Sequence, residues 1–252
     1  KPKNEYDLIR LGKNNDGGYL VEKNSLILAK SLISFGLSYD WSFEKHFYKI
    51  KKCPIHCYDP SIKYSSIKKF SRKNIINLFK IRNIFDKDFL KTTMRNIFLF
   101  NNYKTFFSNK IIHYESSIGI GINKVNFTKI IDRIKLQPVF LKIDIEGSEY
   151  RILDDILKHQ DKISGLVIEF HNVDLHKDKI SDFIDNFNLS LCHIHGQNPL
   201  GTNYLDSNND PTQIEMTFSK TKKILSNKPK IPHKLDQPAD FRFQDVKLNF
   251  TE

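Results

Sequence analysis

Apolar residues in this chain gather into short unbroken runs, separated by stretches in which they recur every three or four positions. The runs at 31–35, 139–144 and 165–171 are rich in Ile, Leu, Val and Phe and end at Gly, an acid or a His. Such runs are the mark of strands buried on both faces. The intervening patterns predict helices over 41–51, 127–135, 148–158 and 179–186. Weaker strands are expected at 54–60, 111–115, 189–198 and 213–218. Strands alternating with helices predict an α/β fold, a mainly parallel sheet with helices on both faces. The last two strands lie close together, which predicts an antiparallel member at one edge.

The remaining segments are read more coarsely. Residues 8–21 form two apolar stretches around Asn14-Asn15-Asp16-Gly17-Gly18, which suits either a plain hairpin turn or a pocket of open backbone amides. Residues 61–110 are rich in Lys, Asn and Phe and are expected to be partly helical, a cap or insertion over the sheet edge. The tail, 232–250, is expected to strap back across the sheet. A single domain over 1–252 is the expected organisation, with the N-terminal segment 1–30 as part of the cap. The chain opens Lys1-Pro2 without Met, so it reads as trimmed or as one piece of a longer polypeptide.

Composition narrows the classes. Hydrophobic residues make up 39% and charged residues 27%, enough for a packed core, and no apolar run is long enough to span a membrane. The formal charge is +11, but only seven of the 40 basic residues are Arg and the Lys are dispersed along the sequence. Specific nucleic-acid binders favour Arg forks and clustered basic faces, so nucleic acid is not the expected partner. A positive surface equally suits an anionic small molecule such as a nucleotide-sugar, or an acidic lipid surface. Three cysteines without metal-finger spacing fit buried thiols in a reducing cytoplasm. Oligomeric state is left open.

Candidate chemistry sits at the strand ends. Side chains two apart on a strand share a face. Asp144 thereby pairs with Glu146, Glu169 with His171, His193 with His195, and Gln213 with Glu215. Burying an unpartnered polar group costs roughly 2–7 kcal/mol, so such density calls for partners or a function. Each has an ordinary alternative: Asp144 or Glu146 as a helix cap, His193 as a satisfied core imidazole, Glu215 paired with Lys142. As a set they suit a general base for a hydroxyl or a divalent ion, with Asp144, Glu169 and His195 as its ligands. Ser34-Phe35-Gly36 followed by a helix is the strand–turn–helix of a nucleotide site, and Asp59 follows Gly36 by 23 positions, where a ribose-binding acid is expected.

The run Leu141-Lys142-Ile143-Asp144-Ile145-Glu146-Gly147-Ser148-Glu149 resembles the Lys-Ile-Asp-x-Glu-Gly-x-Glu signature of FkbM-type S-adenosylmethionine (SAM) methyltransferases. Gly12 to Tyr19, Ser34 to Gly36, Ile168 to His171, His193 to Asn198 and Glu215 to Phe218 resemble further blocks of that family. The resemblance implies a seven-stranded class I methyltransferase fold, Rossmann-like, with SAM as cofactor. It also implies O-methylation of a sugar hydroxyl, on a nucleotide-linked sugar for capsule or another surface polysaccharide. By it, Gly36 lies beneath the cofactor's amino-acid end, Asp59 takes the ribose hydroxyls and Ser117 flanks the adenine. Asp144 faces the reacting centre, and Asp16, Gly17, Gly18 and Tyr19 close over cofactor or acceptor. His195 or His171 is then the expected base, with Asp144 and Glu169 orienting the acceptor or holding an ion. Another small hydroxyl or phosphate-type acceptor, or a non-catalytic SAM- or sugar-binding module, are the alternatives.

Overall fold

In the computed structural model, which describes residues 1–78, 87–119, 121, 124–199 and 205–250, a seven-stranded sheet runs through the centre. Its strands are β3 (Ser31–Phe35), β4 (Ile55–Tyr58), β5 (Ile111–Tyr114), β8 (Val139–Ile143), β9 (Ile163–Phe170), β10 (Ser190–Gln197) and β11 (Gln213–Ser219), in the spatial order β10-β11-β9-β8-β3-β4-β5. β3 pairs in parallel with both β4 and β8, and β8 with β9; β11 alone runs antiparallel, between β9 and β10. This is the strand order of class I methyltransferases, with a topological switch between β3 and β8. The reversed strand lies one place in from the edge, because β10 continues past it as the outermost strand.

Burial explains why the sequence pattern was readable. Every residue of β3, β8 and β9 is buried, and helices cover the faces. α2 (Ser42–Lys51) buries Phe43 and Phe47 on one side. α5 (Phe127–Arg133) buries Phe127, Ile130 and Ile131 on the other, beside α6 (Leu153–Lys158) and α7 (Lys177–Asn186), whose Ile180 and Phe183 join the same core. The helix expected from 148 instead opens with a 3₁₀ turn, Glu149–Arg151, before α6. Glu149 causes this: its buried carboxylate accepts from the amides of Ile145 and Gly147 and draws the turn tight.

The N-terminal stretch forms the hairpin β1 (Leu8–Gly12) and β2 (Gly18–Glu22), with Gly12 opposite Gly18. A Cβ on Gly12 would lie 2.1 Å from the Gly17 carbonyl oxygen, so only glycine closes this turn. The buried β2 lies against β9 and β11, and Thr217 donates to the Leu20 carbonyl at 2.5 Å. Glu22 then caps α1 (Lys23–Leu28), accepting from the Asn24 and Ser25 amides and the Ser219 hydroxyl. A short pair, β6 (Ser117–Ile118) and β7 (Lys124–Val125), follows β5. Within 61–110 the described residues hold two helices, α3 (Tyr64–Leu78) and α4 (Lys87–Phe106), joined at their base by Tyr64 against Phe100 and Tyr103. In the tail, Val246 bridges to Gly196 alongside β10. Cys53, Cys57 and Cys192 are buried free thiols, and burial pushes Cys53 up to about 11.

Candidate active site

The carboxyl ends of β3, β4 and β8 open into a cleft of about 420 Å³ walled by Gly36, Tyr58, Asp59, Ser117, Ile118 and Asp144, among others. Ligands of open α/β sheets sit at such a switch point. Gly36 has φ +81°, and a Cβ there would stand 1.6 Å from the Asp144 carbonyl oxygen. The turn after β3 therefore lies in direct backbone contact with the residue that follows β8. Beside it, Asp59 Oδ2 accepts from the Leu37 and Ser38 amides at 2.7 and 2.9 Å, and Oδ1 from the amide and hydroxyl of Ser61. Burial alone would raise its pKa, but these hydrogen bonds outweigh burial and hold the carboxyl below its ordinary value. Tyr58 stacks on Tyr114 with ring centroids 4.6 Å apart, giving the cleft an aromatic wall.

On the other side of Asp144 the groups are titratable side chains. The Tyr19 hydroxyl lies 2.8 Å from Asp144 Oδ2 and 3.2 Å from Glu169 Oε2. Burial, then the charges of Asp144 and Glu169, push the Tyr19 phenol well up, so it stays protonated. Burial, then Asp144 and Glu215, also drive Glu169 well above the usual carboxylate range. One phenol has one proton to give. At any moment it donates to Asp144 or to Glu169, not to both. Lys142, buried beneath, donates to the Gly36 carbonyl at 2.6 Å and sits 3.5 Å from Asp144 Oδ2.

His171 Nδ1 meets Glu149 at 3.0 Å, while Nε2 faces Glu146 at 3.5 Å, Glu169 at 3.8 Å and Asp144 at 4.0 Å. Burial would lower its pKa, but Glu149 and the acids around it raise it. Asp144, Glu146 and His171 each bring one ligand atom within 4.8 Å of the others, the grouping among the described residues that could hold a divalent ion. A second acid fixing the far ring nitrogen, as Glu149 does, suits such a ligand. The expected set of Asp144, Glu169 and His195 is not the one brought together, because His195 is engaged elsewhere. Its Nε2 meets both oxygens of Asp245 at 2.8 and 2.9 Å, and Nδ1 meets the Gln197 amide at 3.1 Å. Burial would lower this imidazole, but Asp245 and Glu215 raise it to about 10. A protonated ring favours Gln197 turned so that its otherwise unpartnered Oε1 accepts from Nδ1.

A family model for the methyltransferase FkbM domain matches residues 90–228, more than half of the chain. The chain belongs to the FkbM methyltransferase family. No curated protein sequence matches it. Among solved structures, an rRNA methylase from Streptococcus thermophilus aligns at 11% identity over 78% of this chain and 92% of that one, with a TM-score of 0.37. A precorrin-6y C5,15-methyltransferase from Geobacter metallireducens aligns at 10% identity over 78% and 82%, TM-score 0.38. The Methanococcus jannaschii fibrillarin pre-rRNA processing protein gives 10% identity over 87% and 84%, TM-score 0.36. Scores this low carry no weight here, and the fold assignment rests on the strand order.

Of the residues singled out in this FkbM methyltransferase, Gly36, Asp59, Ser117 and Asp144 share the cleft. Asp16, Gly17 and Gly18 are not among its walls. Asp16 is largely exposed and its amide donates to Ala239 in the tail, while Tyr19 reaches the cleft only through Asp144. Glu215 does not pair with Lys142, because β9 separates their strands; it lies opposite Glu169 and His195. Asp245 was not anticipated, nor were the contacts that Glu149 makes with His171 and Lys142 with Gly36 and Asp144. A Lys in the otherwise apolar run 139–143 was a signal for the last, and Glu149 is the third acid of the signature itself.

Proposed function

We propose that this FkbM methyltransferase transfers a methyl group from SAM to a hydroxyl of a sugar, in the form of a nucleotide-linked sugar for surface-polysaccharide synthesis. The observation that carries the chemistry is the Tyr19 hydroxyl spanning Asp144 and Glu169 beside the cleft. The cleft fits the cofactor: its donor set is a permanently charged acid, an aromatic wall and a turn no side chain can occupy. Asp59 would hold the ribose hydroxyls, with the Ser61 hydroxyl rotating off Oδ1 to make room, and Ser117 would flank the base. SAM supplies an activated methyl group.

The protein's task is then to align the acceptor oxygen and remove its proton. Asp144, which faces both the cleft and Tyr19, accepts that proton; Tyr19, bonded to both carboxylates, then takes it from Asp144 while giving its own to Glu169. His171, held by Glu149, orients the acceptor from the far side. His195 serves as base only if Asp245 withdraws, since the pair holds the ring protonated at neutral pH.

The test is calorimetric titration with S-adenosylhomocysteine, followed by labelled methyl transfer to a panel of nucleotide-sugars and to the corresponding free sugars. Micromolar binding and transfer to the nucleotide-sugars are expected. Absence of binding sinks the methyltransferase activity; binding with transfer only to non-sugar hydroxyls sinks the acceptor.

A further inference from the structure

The basic residues that look dispersed in sequence are concentrated in space. α3 carries Lys68, Lys69, Arg72 and Lys73 with no acid, and α4 carries Lys87, Lys91, Arg95 and Lys104 against Asp88 alone. Two helices thus hold eight basic residues and one acidic, a net +7 of the chain's +11. Among the described residues no ion pair neutralises Lys69, Arg72, Lys73, Lys91 or Arg95.

The charges are interleaved with large exposed apolar side chains at helical spacing. On α3, Lys69, Arg72, Lys73 and Ile76 form one stripe, lining a shallow groove of about 530 Å³ with Ser65 and Lys68. On α4 the stripe is Lys91, Met94, Arg95 and Phe98, at i, i+3, i+4 and i+7. Ile76, Met94 and Phe98 are 66%, 65% and 70% exposed, and Phe70 and Ile75 are exposed beside them. The inner faces are already occupied, Tyr64 and Ile67 packing toward Phe100 and Tyr103, so these outer residues have no role in the core.

We propose that the outer face of α3 and α4 docks on an anionic lipid bilayer, its Lys and Arg at the headgroups and Ile76, Met94 and Phe98 in the acyl boundary. Lys and Arg alternating with exposed aliphatic and aromatic residues is the composition of a helix lying in a membrane interface. Nucleic-acid phosphates would reward the charge but leave Ile76 and Met94 in water, and Lys outnumbers Arg six to two on these helices. No helix among the described residues is long and apolar enough to cross a membrane, and the contact proposed for this face lies at the bilayer surface. α3 begins three residues after Ser61, in the wall of the cleft, so docking would bring the active site to the bilayer surface. The inference does not rest on the acceptor proposed above.

Vesicle flotation of the whole protein tests it, with phosphatidylcholine vesicles alone and with phosphatidylglycerol added. Expected is flotation only with the anionic lipid, reversed by high salt. K69E/R72E/K73E should weaken partitioning about a hundredfold and M94S/F98S about tenfold, each with unchanged S-adenosylhomocysteine affinity to show that the fold is intact. Any of three results overturns the proposal: no flotation, equal flotation with neutral vesicles, or flotation indifferent to both variants. Preferential salt-sensitive binding to a mixed-sequence RNA, or a dimer that M94S/F98S dissolves without vesicle binding, would assign the face to those partners instead.

Discussion

The two sides of Asp144 are built from different materials. Toward β3 and β4 the site is backbone: a glycine turn, amides that grip Asp59, and an acid held in its charged form. Toward β9, β10 and β11 it is side chains that share protons, with Tyr19, Glu169, His171 and His195 all holding theirs more tightly than usual. The first side presents the same surface at any ordinary pH. The second changes with every proton it gains or loses, which suits the half that must accept one from a hydroxyl.

The sharpest way to break this contrast is at the backbone side. Gly36→Ala places a methyl group where the Asp144 carbonyl already is, at a left-handed φ. It should destabilise the fold by about 3–5 kcal/mol, read from denaturant midpoints, and abolish S-adenosylhomocysteine binding. A near-native midpoint would mean that the two strand ends are not in fixed contact.

Next comes the proton-sharing side. Glu169→Gln should lower kcat by roughly a hundredfold to ten-thousandfold while cofactor affinity holds, and His195→Gln should keep kcat within about tenfold. The reverse ranking would move the base from the carboxylates to the imidazole. Asp59→Asn should weaken S-adenosylhomocysteine about tenfold and leave the pH profile of turnover unchanged, since a group charged at every working pH contributes no slope.

The smallest effect is on stability. His195 binds its proton more tightly folded than unfolded, so its pairing with Asp245 stabilises fully below about pH 6.5 and fades as pH rises through about 10. Asp245→Asn should cost roughly 1 kcal/mol at neutral pH and flatten stability across that window, measured by thermal melts along a pH series.

What the sequence disclosed follows the same division. Strands buried on both faces announce themselves as unbroken apolar runs, so the sheet and the cleft residues Gly36, Asp59 and Asp144 were legible. The two-residue period also revealed Glu169 and His171 as strand-end groups. Partnerships across distant chain were not legible. Tyr19 reaches Asp144 over 125 positions and His195 reaches Asp245 over 50, and no local pattern encodes either. Net charge misled in a different way, because a chain-wide count cannot show that two helices carry +7 of it between them.

The hairpin that carries Tyr19 has a consequence for how the molecule comes into being. Its seat is formed by Thr217, which donates to Leu20, and by Ser219, which donates to Glu22, both 197 positions downstream. During synthesis both are made only after β3, β4 and β8. Tyr19 is therefore made well before the residues that seat its hairpin, and a chain halted before β11 would lack the contacts that hold Tyr19 against Asp144.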